Sequence, residues 1–244
     1  MLKYCLLRWR QGRQKEIENM IVNERIVSYI HSLEKSNGEL CDEIEKTAQE
    51  TNVPIIRKEM ESFLRVMVTI KSPNRILELG TAIGYSAILM AKAMPESCHV
   101  TTIENYEKRI PIAKENIQKA GMSGRITLIE GDALEVLKEL EGEYDFIFMD
   151  AAKAQYPFYL KEIMRLLPVG GILIADNVLQ EGELVESRFA VERRDRTIHA
   201  RMREFLYTLK NMEELETTIV PIGDGIVISV RKDRKDRKDR KDNG

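Results

Sequence analysis

From Arg75 onward the chain alternates short, continuous apolar runs with longer segments in which apolar residues recur every three or four positions. RILELG (75–80) precedes a segment carrying Ile88, Leu89 and Ala91; HVTTIE (99–104) precedes one through Ala113 and Ile117; RITLIEG (125–131) precedes one through Leu137. YDFIFMD (144–150) and GGILIADNV (170–178) continue the series, with a helical pattern through Tyr159, Ile163 and Leu167 between them. Runs this apolar are strands buried on both faces, and strands alternating with helices imply right-handed crossovers into a parallel sheet. The end of the chain departs from that rule. After a long helix near 195–210, LETTIVPIG and DGIVISVRK meet at Gly223-Asp224-Gly225, too short for a crossover, so an antiparallel hairpin is expected. The predicted fold is α/β: a doubly wound, seven-stranded, mostly parallel sheet with one antiparallel strand. Residues 20–70 read as helices interrupted by Pro54.

Composition limits what this pattern can be. A chain of 244 residues with 43% hydrophobic residues and one Trp fits a single domain, expected over 20–231, of which 20–70 form a helical cap. No apolar run approaches the roughly 20 residues that span a bilayer. The basic stretch 1–19 has an apolar part, Tyr4 to Leu7, too short for a signal-peptide core, and reads as an extension upstream of Met20. Cys5, Cys41 and Cys98 lie far apart with no CxxC pair, which excludes a zinc cluster and a disulfide framework and makes a reducing cytoplasm the expected location. The net charge is −2, but RKD occurs four times in succession at the C-terminus. Residues 232–244 contain nothing apolar and are expected to be a disordered tail. Without the repeats' +4 the rest of the chain carries about −6.

In a doubly wound sheet, ligands bind outside the carboxyl ends of the strands. Those ends are where the polar residues fall. GTAIGYSA places Gly80 and Gly84 in the turn after the first strand, where glycine lets backbone approach a ligand and the helix start offers free N–H groups; a tight turn needing positive φ explains them equally well. Glu104 ends the second strand, where a carboxylate can hold a ribose diol. Asp132 ends the third, positioned either for an adenine amino group or as N-cap of a helix over 133–140, two compatible roles. Asp150 ends the fourth strand and Asp176-Asn177 the fifth, so three oxygen-bearing side chains converge. Neighbouring carboxylates raise each other's pKa unless a cation separates them, and an oxygen-only donor set suits Mg2+, with Mn2+ or Ca2+ as substitutes. Capping of the adjacent loop and helix is the plainer alternative. Lys153, three residues after Asp150, is placed to take a proton, because a lysine beside a cation and partly desolvated can have a depressed pKa; a solvated or phosphate-facing lysine is the other reading.

Taken in order, ILELGTAIGYSA, TIE, EGDA, FMDAAK and IADNV resemble the cation-dependent O-methyltransferases, the group that contains catechol and caffeoyl-CoA O-methyltransferases. The resemblance covers roughly 20–231, including VPI at 53–55 and the closing VPIGDG, and is nearest to the bacterial branch that converts 5-hydroxyuridine at the tRNA wobble position to 5-methoxyuridine. It implies a Rossmann-like fold, S-adenosylmethionine along Val53, Gly80, Tyr85, Ser86, Glu104, Asp132, Ala133 and Asp150, and a divalent ion on Asp150, Asp176 and Asn177. It also implies catalytic roles for Asp150 and Lys153, and a homodimer as the assembly. The alternative within the group is a small catechol-like or caffeoyl-CoA-type substrate. For tRNA, the candidate contacts are Arg193, Arg194 and Arg196 in ESRFAVERRDRTIHARMR (186–203). Clustered arginines bind phosphates, yet a solvated charged face accounts for this composition as well. His199 is expected at the surface.

Overall fold

The structure, a computed structural model, describes residues 22–233. The expected extension 1–19 lies outside these residues, as does the expected tail beyond Asp233. Three helices come first: α1 (Glu24–Leu33), α2 (Glu39–Thr51) and α3 (Lys58–Lys71). Asn23 caps α1 by accepting the Arg25 N–H at 2.9 Å. Helix α2 ends at Asn52, whose left-handed φ of 52° turns the chain outward. Pro54 follows, and Val53 to Arg57 cross to α3 as a non-helical strap.

Strands and helices then alternate: β1 (Arg75–Leu79), α4 (Tyr85–Ala93), β2 (His99–Glu104), α5 (Ile110–Lys119), β3 (Ile126–Glu130), α6 (Ala133–Glu139) and β4 (Phe146–Met149). After these come α7 (Tyr156–Leu166), β5 (Ile172–Ala175), α8 (Arg196–Asn211), β6 (Leu215–Val220) and β7 (Ile226–Arg231). The sheet order is β3-β2-β1-β4-β5-β7-β6, and β7 runs antiparallel to both β5 and β6, so it is the single reversed strand that the short Gly-Asp-Gly turn predicted. Winding reverses direction between β1 and β4, where the crossovers diverge and leave a crevice.

Alternation along the strands divides the core into two layers. Ile76, Phe146, Phe148 and Ile174 pack on one face with the N-terminal helices; Leu77, Leu79, Ile147, Met149 and Leu173 pack on the other with α7 and α8. Register decides the site. Leu79 pairs with Met149, and Met149 with Ala175, so Gly80, Asp150 and Asp176 leave the sheet at one level on three adjacent strands. Neighbouring strands are about 4.8 Å apart, which sets the spacing of those residues.

Two features lie away from the crevice. The first RKD unit belongs to the fold: the Arg231 guanidinium donates to the Met164 and Leu167 carbonyls, and the Lys232 N–H to the Glu214 carbonyl. Helix α1 exposes Ile26, Tyr29, Ile30 and Leu33, one stripe at helical spacing. Among the described residues no helix is long and apolar enough to cross a membrane.

Candidate active site

A cavity of about 570 Å3 opens at the carboxyl ends of the strands. Asp150 and Asp176 line it side by side, with Asn177 next to them. Asp176 is 3% exposed, and burial together with the Asp150 charge pushes its carboxyl up to about 7, although the Asn177 N–H donates to it at 2.6 Å. Burial also raises Asp150, against the opposing charge of Lys153, whose Nζ stands 3.9 Å from Asp150 Oδ1. The Tyr156 hydroxyl donates to the Met149 carbonyl at 3.1 Å and lies 3.3 Å from that of Asp176, bracing the ends of both strands from below.

Asn177 adopts a left-handed φ of 55°. Its Nδ2 points to Asp224 Oδ2 at 3.5 Å, which leaves Oδ1 for the cavity. Among the described residues no three His, Cys, Asp or Glu side chains gather as a metal cage, so the donor set depends on this amide oxygen. Two carboxylates, both raised by burial and Asp176 also by the Asp150 charge, together with an amide oxygen, fit a hard divalent cation.

The other half of the cavity has the features of a nucleotide site. Glu104 accepts the Ala82 N–H on Oε2 at 2.7 Å and the Asn105 and Tyr106 N–H groups on Oε1 at 3.0 and 2.9 Å. Those bonds fill three of its four lone-pair directions and leave one on Oε2 for a hydroxyl. Gly80 has φ of 98°, and a Cβ there would meet the Asp150 carbonyl oxygen at 2.2 Å, so glycine is required both by the turn and by the adjacent strand. No side chain caps α4, whose first residues Tyr85 and Ser86 line the cavity, so its N-terminal N–H groups remain available to an acidic or polar ligand.

Not every expected residue reaches this space. Gly80, Tyr85, Ser86, Glu104, Ala133, Asp150, Lys153, Asp176 and Asn177 line it, while Val53 and Asp132 do not. Val53 packs against the core beneath the strap, and Pro54, Ile55 and Ile56 face the cavity instead. Asp132 caps α6, its Oδ1 accepting the Leu134 and Glu135 N–H groups at 2.9 and 3.3 Å. Arg193, Arg194 and Arg196 also lie off the cavity wall. Arg194 pairs with Glu192 and Asp195, and Arg196 donates to the Val191 and Phe189 carbonyls, tying the preceding loop to α8. The expectation for His199 was wrong. It is 2% exposed, because the segment after β5 folds back over α8, and its Nε2 meets the Glu186 carbonyl at 3.2 Å.

The structure adds residues that sequence reasoning passed over. Tyr106, Arg109, Glu181 and Asp224 all line the cavity, joined by Arg57 of the helical cap, a segment that the sequence allows to fold over the site. Glu78 lies beneath it, fully buried in β1, with Thr102 donating to Oε2 at 2.5 Å and no partner for Oε1. Burial pushes this carboxyl up to about 7, with the Ser86 and Thr102 hydroxyls pulling the other way. A glutamate in the middle of an otherwise apolar strand was the signal available for it.

One reversed strand in a seven-stranded parallel sheet, with a ligand crevice where the winding changes direction, defines the Rossmann-like methyltransferase fold. An O-methyltransferase of Bacillus cereus, solved in complex with SAH, superposes with a TM-score of 0.76 at 26% identity, covering 85% of this chain and 97% of its own. The family model described as O-methyltransferase matches residues 31–232, and the chain belongs to that family. Caffeoyl-CoA O-methyltransferase 1 of Eucalyptus globulus is 30% identical over 239 residues, covering 90% of this chain and 94% of its own. A catechol O-methyltransferase of Niastella koreensis is 35% identical over 128 residues, 51% of this chain and 58% of that one.

Proposed function

We propose that this O-methyltransferase uses S-adenosylmethionine and Mg2+ to methylate the 5-hydroxyl of 5-hydroxyuridine at the tRNA wobble position. The observation that carries the reading is the pair Asp150 and Asp176, in register on adjacent strands with Asn177 beside them. Such a site selects an acceptor with two neighbouring oxygens, and in 5-hydroxyuridine the 5-hydroxyl and the O4 carbonyl are adjacent. When bound, S-adenosylmethionine supplies the methyl group and Mg2+ the positive charge that lowers the hydroxyl's pKa. Glu104 would accept a ribose hydroxyl of that cofactor on its remaining lone pair, and the uncapped start of α4 would offer N–H groups to its polar part. Lys153, whose Nζ stands 3.9 Å from Asp150 Oδ1 on the cavity wall, is the group placed to take the proton from the acceptor hydroxyl. The strap Pro54 to Ile56 excludes water from the other side.

Exposed Arg193 and Arg194, on the segment that follows the Asp176 strand, support contact with RNA phosphates. A small catechol or acyl-thioester phenol is the second reading, favoured by the names of the Eucalyptus and Niastella relatives and by the local pairing of Arg194. Nucleoside mass spectrometry separates them. Cells lacking the gene should lose 5-methoxyuridine and accumulate 5-hydroxyuridine in tRNA; an unchanged nucleoside profile rejects the tRNA reading. Reversing the charge of Arg193 and Arg194 together should raise KM for tRNA about tenfold and leave KM for catechol in place.

The homodimer is proposed to cover the stripe Ile26, Tyr29, Ile30 and Leu33 on α1. Ile26→Asp with Leu33→Asp should then give a monomer mass by light scattering with an unchanged circular dichroism spectrum. A dimer that survives both changes places the contact elsewhere.

A further inference from the structure

Arg57 stands at the junction of the strap and α3, and its guanidinium faces Glu181 across the mouth of the cavity at 3.7 Å. Both residues line that cavity. Among the described residues the cations on its wall are Arg57, Arg109 and Lys153. Lys153 faces Asp150, and Arg109 lies over the Tyr106 ring at 5.2 Å, near the Glu104 end. Arg57 is thus the cation on the strap side, and its counter-ion is loosely held. The Arg57 and Glu181 side chains are 46% and 73% exposed, a condition in which an ion pair adds little stability and exchanges easily.

The loop that presents Glu181 is nevertheless closely specified. Gln180 and Glu181 both have φ of 52°, a left-handed conformation that is unusual for two successive residues with side chains, and Gly182 follows at 87°. The Glu181 N–H donates to Asp224 Oδ1 at 2.5 Å, and Asp224 Oδ2 in turn faces the Asn177 amide. On the other side, a Cβ at Gly223 would lie 3.5 Å from Arg57 Cδ, so the arginine stem rests against the β6–β7 turn. A strained, hydrogen-bonded backbone that delivers a carboxylate to an exposed arginine at a ligand cavity stores its strain at a functional position.

We infer that Arg57 recognises an anionic group on the methyl acceptor, a phosphate or carboxylate attached to the molecule that carries the vicinal oxygens, and that Glu181 occupies that place when the acceptor is absent. The inference rests on the function proposed above and names a feature of its substrate. On the tRNA reading the anion is a phosphodiester flanking the modified nucleoside; on the small-molecule reading it is a carboxylate or phosphate of the acceptor itself. An arginine forks onto either group through paired N–H donors.

The test compares matched acceptors with Mg2+ and S-adenosylmethionine present: 5-hydroxyuridine against its 5′-monophosphate, and catechol against 3,4-dihydroxybenzoate. In the unaltered enzyme the anionic member of the productive pair should have the higher kcat/KM. Arg57→Gln should lower the anionic-to-neutral ratio about tenfold through KM, whereas Glu181→Gln should raise it, because a competitor for the arginine is gone. A simple brace between two loops predicts that both substitutions shift both acceptors in the same direction, and that result overturns the inference. Titration calorimetry with S-adenosylhomocysteine confirms that each variant retains a folded cofactor site. If neither pair is methylated by the unaltered enzyme, the inference fails, while the proposed function stands or falls separately on the nucleoside profile of tRNA. If a pair is methylated and its ratio does not respond to Arg57→Gln, the inference alone fails. The productive pair identifies the source of the anion.

Discussion

Asp176→Ala should abolish methyl transfer at any Mg2+ concentration, EDTA should do the same to the unaltered protein, and S-adenosylhomocysteine should still bind in both cases. The expected loss is at least about a thousandfold in kcat, because charge stabilisation by a bound divalent ion contributes several kcal/mol. The geometry behind this is the register of β4 and β5, which sets the Asp150 and Asp176 carboxylates together on one wall. Stability supplies an independent readout. The Asp176 carboxyl is pushed up from 3.8 to about 7, so in the metal-free protein its contribution is fully present below about pH 4 and is lost as pH rises through 7. Glu78, also raised to about 7, acts in the same direction. The metal-free Tm should therefore fall between pH 5 and pH 8. Added Mg2+ should recover much of that loss at pH 8, while Asp176→Asn flattens the slope and leaves the Glu78 part. Full turnover in chelator, or a metal-free Tm that rises across this range, would refute the metal site.

Gly80→Ala is expected to be the most destabilising single-methyl addition among the described glycines. The new Cβ would lie 2.2 Å from the Asp150 oxygen and 2.8 Å from its carbonyl carbon, both backbone atoms of a buried strand end that no rotamer can move. The residue also holds a φ of 98°, where an L side chain is strained. Strain and overpacking together cost about 3 kcal/mol or more, a fall in Tm on the order of 10 °C for a domain of this size. Because the clash displaces Asp150, Mg2+ affinity should fall as well. Gly121→Ala is the matched control: its φ of 67° is also positive, but a Cβ there meets nothing within 4 Å. A melting curve for Gly80→Ala that overlays that of Gly121→Ala would show that the crowding at β4 is not felt.

Much of the candidate site could be read before any coordinates, because the rim of a parallel sheet is a local property of each strand. An apolar run ends, and the next polar residue is on the rim. Gly80, Glu104, Asp150 and Asp176 were found that way, and all four line the cavity. The same logic failed where a side chain had a choice of partners. Asp132 sits one residue from two cavity-lining positions, yet its carboxylate turns to the open N–H groups of α6. Arg196 has the composition of a phosphate contact and instead satisfies carbonyls that the preceding loop leaves without partners.

By itself the sequence determined the fold class, the reversed strand and the level at which the acidic residues emerge, since these depend on apolar periodicity and on turn length, both set within a few residues. Tertiary structure alone decided which side of the strap faces inward, that His199 is covered, and that Arg57, Glu181 and Asp224 meet around one opening. Those three come from the helical cap, the segment after β5 and the last hairpin. Only packing of distant elements brings such groups together, and no local pattern of residues records it.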